Sequence, residues 1–332
     1  MKKHGTVYVL YKEDKVERKE IGRIIIDDKG SEKPIFKHEW PSFPDKKKVN
    51  IDPAEIERVV EDIKKINTEA SVGQKEATWI PKMDYPDRPL LYLFLTDVHY
   101  TSTRSETDLL NHYLDTVKEV PNMFVVTGGD DVDNFNITLG PAASGVYEDP
   151  IIPGIQALAW QKKIGELDQK DKVGFMVFGN HNDWTNKVGI DWYDTFLGQM
   201  NAPILTSGGE VNVMFHQGAR YKIAATHKYW GTSKLNPTNA CKRFLEHEYP
   251  DADMVLLGHT HQSEVLHFER GGKERIGIIG GTLKLTDEWA RKHGIGGRAG
   301  YPGHCVALWP DRQEMQPYKN FDRAVEEHMR RL

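Results

Sequence analysis

The chain has 332 residues, 39% of them hydrophobic, with 44 basic against 49 acidic side chains and a net charge of −5. That length supports one large domain or two ordinary ones with a substantial core. The mixed charge gives no bulk electrostatic case for binding nucleic acid or a membrane surface, leaving only a local basic groove open. Cys241 and Cys305 are the only cysteines, far apart and outside CxxC spacing, which fits a reduced compartment better than a disulfide scaffold. No apolar h-region follows Met1-Lys2-Lys3-His4, and no apolar run approaches the roughly 20 residues that span a bilayer. The expectation is a cytoplasmic protein with no membrane partner, its oligomeric state unset.

In chain order, Thr6–Tyr11 and Ile21–Ile26 read as two strands around a charged turn, a hairpin. A Lys/Pro-rich stretch containing Lys46-Lys47-Lys48 reads as a solvated turn. A helix then opens with Asp52 as N-cap, Pro53 at the first position and Glu55 three residues after the cap; Ile56, Val59, Val60, Ile63 and Ile66 form its apolar stripe. With Pro81, Pro86 and Pro89 marking a junction, residues 1–85 are expected to be an appended element that covers an apolar edge of the core, a partner or substrate surface being the alternative.

Beyond it the pattern becomes strand, loop, helix, strand. Leu90–Leu95 is a continuous apolar run of the kind buried on both faces. Ser105 opens a helix carrying Leu109, Leu110, Tyr113, Leu114 and Val117. Met123–Val126 and Val173–Phe178 are further buried strands. After residue 200 strands dominate: Val211–His216, Tyr221–Thr226, Met254–Leu257, Glu264–Phe268, Arg275–Ile279 and Cys305–Trp309. Helical units followed by strand-rich units predict a layered α/β sandwich with two central sheets over residues 86–310, with 311–332 as a helical tail.

Five short segments, each closing an apolar strand-like run, carry metal-ligand chemistry: Asp97-Val98-His99, Gly129-Asp130-Asp131-Val132-Asp133, Gly179-Asn180-His181, His227 and Gly258-His259-Thr260-His261. Taken singly each has a bland explanation, since Gly, Asp and Asn are ordinary turn residues. Taken together they supply carboxylate, amide and imidazole donors, a set that suits borderline first-row cations. The i, i+2 spacing in Asp97-x-His99 and His259-x-His261 predicts side chains on one face at a strand end. Gly129 permits the sharp turn that presents Asp130. His216 also ends a strand and His247 lies in a charged stretch, but the strand Tyr221–Thr226 favours His227 as the fourth-segment donor.

The series DxH, GDxxD, GNH, H, GHxH resembles the calcineurin-like metallophosphoesterase superfamily over about residues 90–310. The resemblance implies a four-layer double β-sheet sandwich flanked by helices, two divalent ions (Mn, Ni, Fe or Zn) and a phosphate-ester substrate. It also implies that Asp97, His99, Asp130 and His261 bind one ion, that Asp130, Asn180, His227 and His259 bind the other, and that a hydroxide held by the metals is the nucleophile. His181, oriented by Asp133, would serve the leaving oxygen.

Two departures bear on substrate. Protein phosphatases of the superfamily carry Arg after the second Asp and an acid directly after GNH, where this chain has Asn134 and Asn182; repair nucleases usually end the second motif in His, where this chain has Asp133. The pattern is closest to bacterial and phage phosphodiesterases, with a nuclease, and therefore a nucleic-acid substrate, left open. A scaffold that keeps the fold without turnover is the third reading, against which stands the presence of every expected ligand and of His181. Residues 134–160 read as a long substrate-facing loop. After the last motif, Lys284, Arg291 and Arg298, interleaved with aromatic residues, are candidates to hold phosphate and stack a base.

Overall fold

The computed structural model describes residues 76–102, 104–134, 153–182, 184, 197–231, 236–286 and 300–332, together with the backbone of 6–13, 18–26 and 32–35. The chain divides into two compact units, Met1–Thr68 and Glu69–Leu332. In the first, β1 (Thr6–Glu13), β2 (Arg18–Ile26) and β3 (Glu32–Ile35) form an antiparallel sheet in sequential order. The expected hairpin is its first half; β3 extends it. The expected helix after Asp52 lies outside the described residues.

The second unit holds two six-stranded sheets. The first has the order β15 (Met315–Tyr318), β14 (Gly303–Leu308), β5 (Leu90–Leu95), β6 (Met123–Thr127), β7 (Val173–Val177), β8 (Ile204–Leu205). The second has the order β12 (Glu264–Arg270), β13 (Lys273–Ile279), β11 (Met254–Leu257), β10 (Arg220–Thr226), β9 (Gly209–Met214), β4 (Glu76–Trp79). Strand periodicity builds the layers directly. Along β5, Leu90, Tyr92 and Phe94 pack between the sheets with Val213, Ile223 and Met254. The alternate residues Leu91, Leu93 and Leu95 face the opposite way, toward helices α1 (Thr107–Glu119), α2 (Pro153–Asp168) and α4 (Phe321–Met329). On the outer face of the second sheet, α3 (Asn239–His247) buries Cys241 and Phe244 against Val255 and Leu257. Each such fully buried side chain contributes about 1.5–3 kcal/mol. The result is the helix–sheet–sheet–helix sandwich read from the sequence.

Three features differ from that reading. Residues 76–79, expected in the N-terminal element, run parallel beside β9 as an edge strand. Trp79 there packs edge-on against Phe124 at 5.3 Å, which a run of only four residues did not advertise. α2 begins at Pro153, inside the stretch expected to be loop; residues 135–152 lie outside the described residues. The C-terminal tail is part of the core: β15 pairs with β14, and Phe321 and Ala324 are buried. Cys241 and Cys305 are free and buried. Among the described residues no helix is long and apolar enough to cross a membrane.

The topology positions the chemistry. β5, β6 and β7 are mutually parallel, as are β10, β11 and β13. All five motif segments leave the C-terminal ends of these strands, the end at which open α/β sheets present ligand sites.

Candidate metal centre

The loops after β5 and β6 stay zipped beyond their strands: Asp97 N donates to Gly129 O, His99 N to Asp130 O and Tyr100 N to Asp131 O. Gly129, at φ +91°, lies against the backbone of Gly179, where any Cβ would collide. That close approach brings the third segment against the second. Five candidate donors adopt left-handed backbone: Asp97 (φ 51°), His99 (47°), Asp130 (52°), His259 (71°) and His261 (56°). The convergence of Asp97 with His99 and of His259 with His261 therefore comes from left-handed turns past the strand ends, and not from the strand pleat that i, i+2 spacing suggested. Such backbone costs about 1–3 kcal/mol per residue and clusters at functional sites.

Two groups of donors result. In the first, His99 Nε2 and His261 Nε2 lie 3.2 Å apart, and His261 Nε2 is 3.2 Å from Asp97 Oδ1. The other oxygen, Asp97 Oδ2, accepts from Thr96 Oγ1 (2.7 Å) and from His259 N (2.9 Å). His99 Nδ1 lies 2.6 Å from Asp133 Oδ1, an ion-pair distance without hydrogen-bond geometry, while Nε2 faces the group. In the second group, His227 Nδ1 donates to Gly128 O (2.8 Å) and Nε2 lies 2.9 Å from Asp130 Oδ2; the ring of His259 stands edge-on to His227, 5.3 Å away. Asp130 Oδ1 accepts from His181 N at 2.9 Å.

These residues fit divalent cations. Asp97 Oδ1, Asn180 Oδ1 and His227 Nε2 are buried without a hydrogen bond of acceptable geometry, an arrangement that is costly unless a cation completes it. Tetrahedral ligands at Zn–N distances of about 2.0–2.1 Å stand about 3.3 Å apart, close to the separations in the first group. Asp97, His99 and His261 form one set of mutually close donors, and Asp130, His227 and His259 another.

Electrostatics separate the residues further. Burial by itself would raise Asp97, but His227 and then His261 hold its carboxyl at about 2. Burial is likewise outweighed at Asp130, where His181 and His227 keep the carboxyl well below the usual range. His227, although desolvated, is pushed up to about 9 by Asp130 and Asp97. His259 is lowered to about 4 by burial and then by His227. His181 is lowered to about 4 by burial, against the pull of Asp130. Its Nδ1 donates to the main-chain oxygen of Asp133 (2.6 Å), so the neutral ring presents Nε2 as an acceptor, 3.7 Å from Asp130 Oδ2.

All seven expected metal donors lie in these loops, and His181 and Asp133 lie beside them. His216, the competitor of His227, is exposed in the β9–β10 turn. Lys284, expected to hold substrate, is buried instead and bonds both oxygens of Asp133 at 2.8 Å. Arg291 and Arg298 lie outside the described residues. Sequence reasoning missed three contributors: Thr96; Thr282, whose Oγ1 donates to Asp97 O at 2.6 Å; and Asp131, which burial and then Asp130 push up to about 7. Thr96 directly precedes the first motif, Asp131 lies within the second, and Thr282 follows shortly after β13, positions whose proximity to the motifs and strand ends is the signal that could have found them.

No curated protein shows significant similarity to the chain. Among solved structures, it resembles Vps29 from Entamoeba histolytica, crystallised with zinc, at 11% identity over 69% of this chain and 97% of that one, TM-score 0.32. It also resembles a predicted phosphoesterase from Streptococcus pneumoniae at 13% identity over 70% and 98%, TM-score 0.29. The family model for calcineurin-like phosphoesterases matches residues 90–263, more than half of the sequence and the span that carries all five motifs. The chain belongs to the calcineurin-like phosphoesterase family.

Proposed function

We propose that the protein is a two-metal phosphodiesterase. Asp97, His99 and His261 hold one cation, Asn180, His227 and His259 the other, and Asp130 serves both. When bound, such ions polarise phosphoryl oxygens and lower the pKa of water. The chain's own residues supply orientation and proton handling. Gly128 O fixes the tautomer of His227, and the Asp133 carboxylate stands beside His99 Nδ1, so that each ring turns Nε2 toward the donors. His181, neutral at rest, takes a proton from solvent water on Nε2 when the negative charge of a phosphoryl group arrives beside it, and delivers that proton to the leaving oxygen.

The preference for diesters rests on one observation. At the position after the second Asp, where protein phosphatases carry Arg, Asn134 is fully buried; its Nδ2 donates to His181 O (2.5 Å) and its N–H to Gln156 Oε1 (3.0 Å). Asn182 Oδ1 likewise accepts from Gly179 N at 2.7 Å. Both side chains brace the loops, and neither brings the fixed positive charge that would favour a monoester dianion. The test compares bis(p-nitrophenyl) phosphate with p-nitrophenyl phosphate in the presence of Mn, Ni, Zn or Co. Metal-dependent hydrolysis with the diester faster is expected; faster monoester turnover refutes the diester preference, and no turnover with any metal refutes the enzyme.

A further inference from the structure

A buried lysine lies behind the histidines, and the proposed chemistry does not use it. Lys284 is 8% exposed and Asp133 1%. A buried ammonium costs several kcal/mol to desolvate unless it is paired and hydrogen-bonded, and here Nζ contacts both Asp133 oxygens at 2.8 Å. On its other side Asp133 reaches two residues of the site: Oδ1 lies 2.6 Å from His99 Nδ1, and the main-chain oxygen accepts from His181 Nδ1 at 2.6 Å. The lysine is itself anchored. Its N–H donates to Thr282 Oγ1 (2.9 Å), the hydroxyl that holds Asp97 O, and its backbone bridges to Ser105.

We propose that Lys284 is a positioning residue that acts through Asp133: its two-point clamp orients His99 toward the first cation group and steadies the segment that holds His181. A carboxylate behind a ligand imidazole sets that ring's orientation and donor strength, and loss of such a support costs about 10–100-fold in metal affinity. Without the ammonium, the Asp133 carboxylate loses two 2.8 Å contacts and the positive charge that holds it 2.6 Å from His99 Nδ1. His99, Asp133 and His181 also group closely enough to suggest a third cation, but the ammonium already supplies the charge that Asp133 would offer one.

The inference rests on reading the two donor groups as cation sites. It is tested by calorimetric titration of Co²⁺ into the full chain and into K284M, D133N, K284M/D133N and K284R. Expected is an about 10–100-fold weakening at one of two sites in K284M, with the other site little changed. K284M/D133N is expected to match D133N alone, because the lysine acts through the aspartate, and K284R to recover much of the loss. Wild-type affinities at both sites in K284M, equal weakening of both, or losses that add in the double variant overturn the proposal. If K284M does not fold, the comparison of the double variant with D133N decides, since it removes both buried charges. Wild-type protein that binds no cation overturns the site reading as well, so the two failures are distinguishable.

Discussion

The two donor groups use the same residue types and are braced differently. His99 in the first group has a buried carboxylate behind it, itself clamped by Lys284, whereas His227 in the second has the neutral carbonyl of Gly128. The first group thus depends on a chain of side chains, and the second on the backbone of a zipped loop. Their proton balance differs too. His227, between Asp130 and Asp97, is raised to about 9 and carries a proton at neutral pH, so the second group holds its own charge balance until a cation displaces it. Similar ligand sets therefore have different linkage to protons and different sensitivity to mutation.

The largest expected effect comes from removing what the groups share. Asp130→Ala should abolish turnover and deplete both cations, measured by metal analysis of purified protein; loss of only one ion would show that Asp130 serves a single group. His181→Ala should lower kcat by about 10²–10⁴-fold while metal content stays near that of the wild type, and depletion of both ions would overturn the division of roles. The contrast in proton linkage predicts that cation affinity at the second group rises with pH toward about 9, as the His227 proton becomes easier to displace. Calorimetry in buffers of different ionisation enthalpy should find about one proton released on filling that group at pH 7; pH-independent affinity would contradict the His227–Asp130 pairing. The smallest effect is expected at the rejected alternative. His216→Ala, in an exposed turn, should change stability by no more than about 0.5 kcal/mol and leave metal content unaltered.

Much was legible because it is local. The alternation along β5, the apolar stripe of α1 and the five donor segments are each written within a few consecutive residues, and the order of the segments sufficed to name the family and to prefer His227 over His216. What the sequence left open depends on contacts between distant residues. His99 and His261, 162 positions apart, meet because two sheets present the same strand ends on one side. The left-handed backbone that turns Asp97, His99, His259 and His261 inward is uncommon for any residue but glycine, although Asp and His enter it more readily than most, and local sequence does not announce it. The place of β4 at a sheet edge was likewise invisible, since four residues carry too little periodicity to show which sheet they join. Lys284 is the sharpest case. A lysine near a phosphate chemistry motif reads as a substrate ligand, and only the burial of its ammonium against Asp133 reassigns it, because charge has a sign in sequence but a direction only in the folded chain.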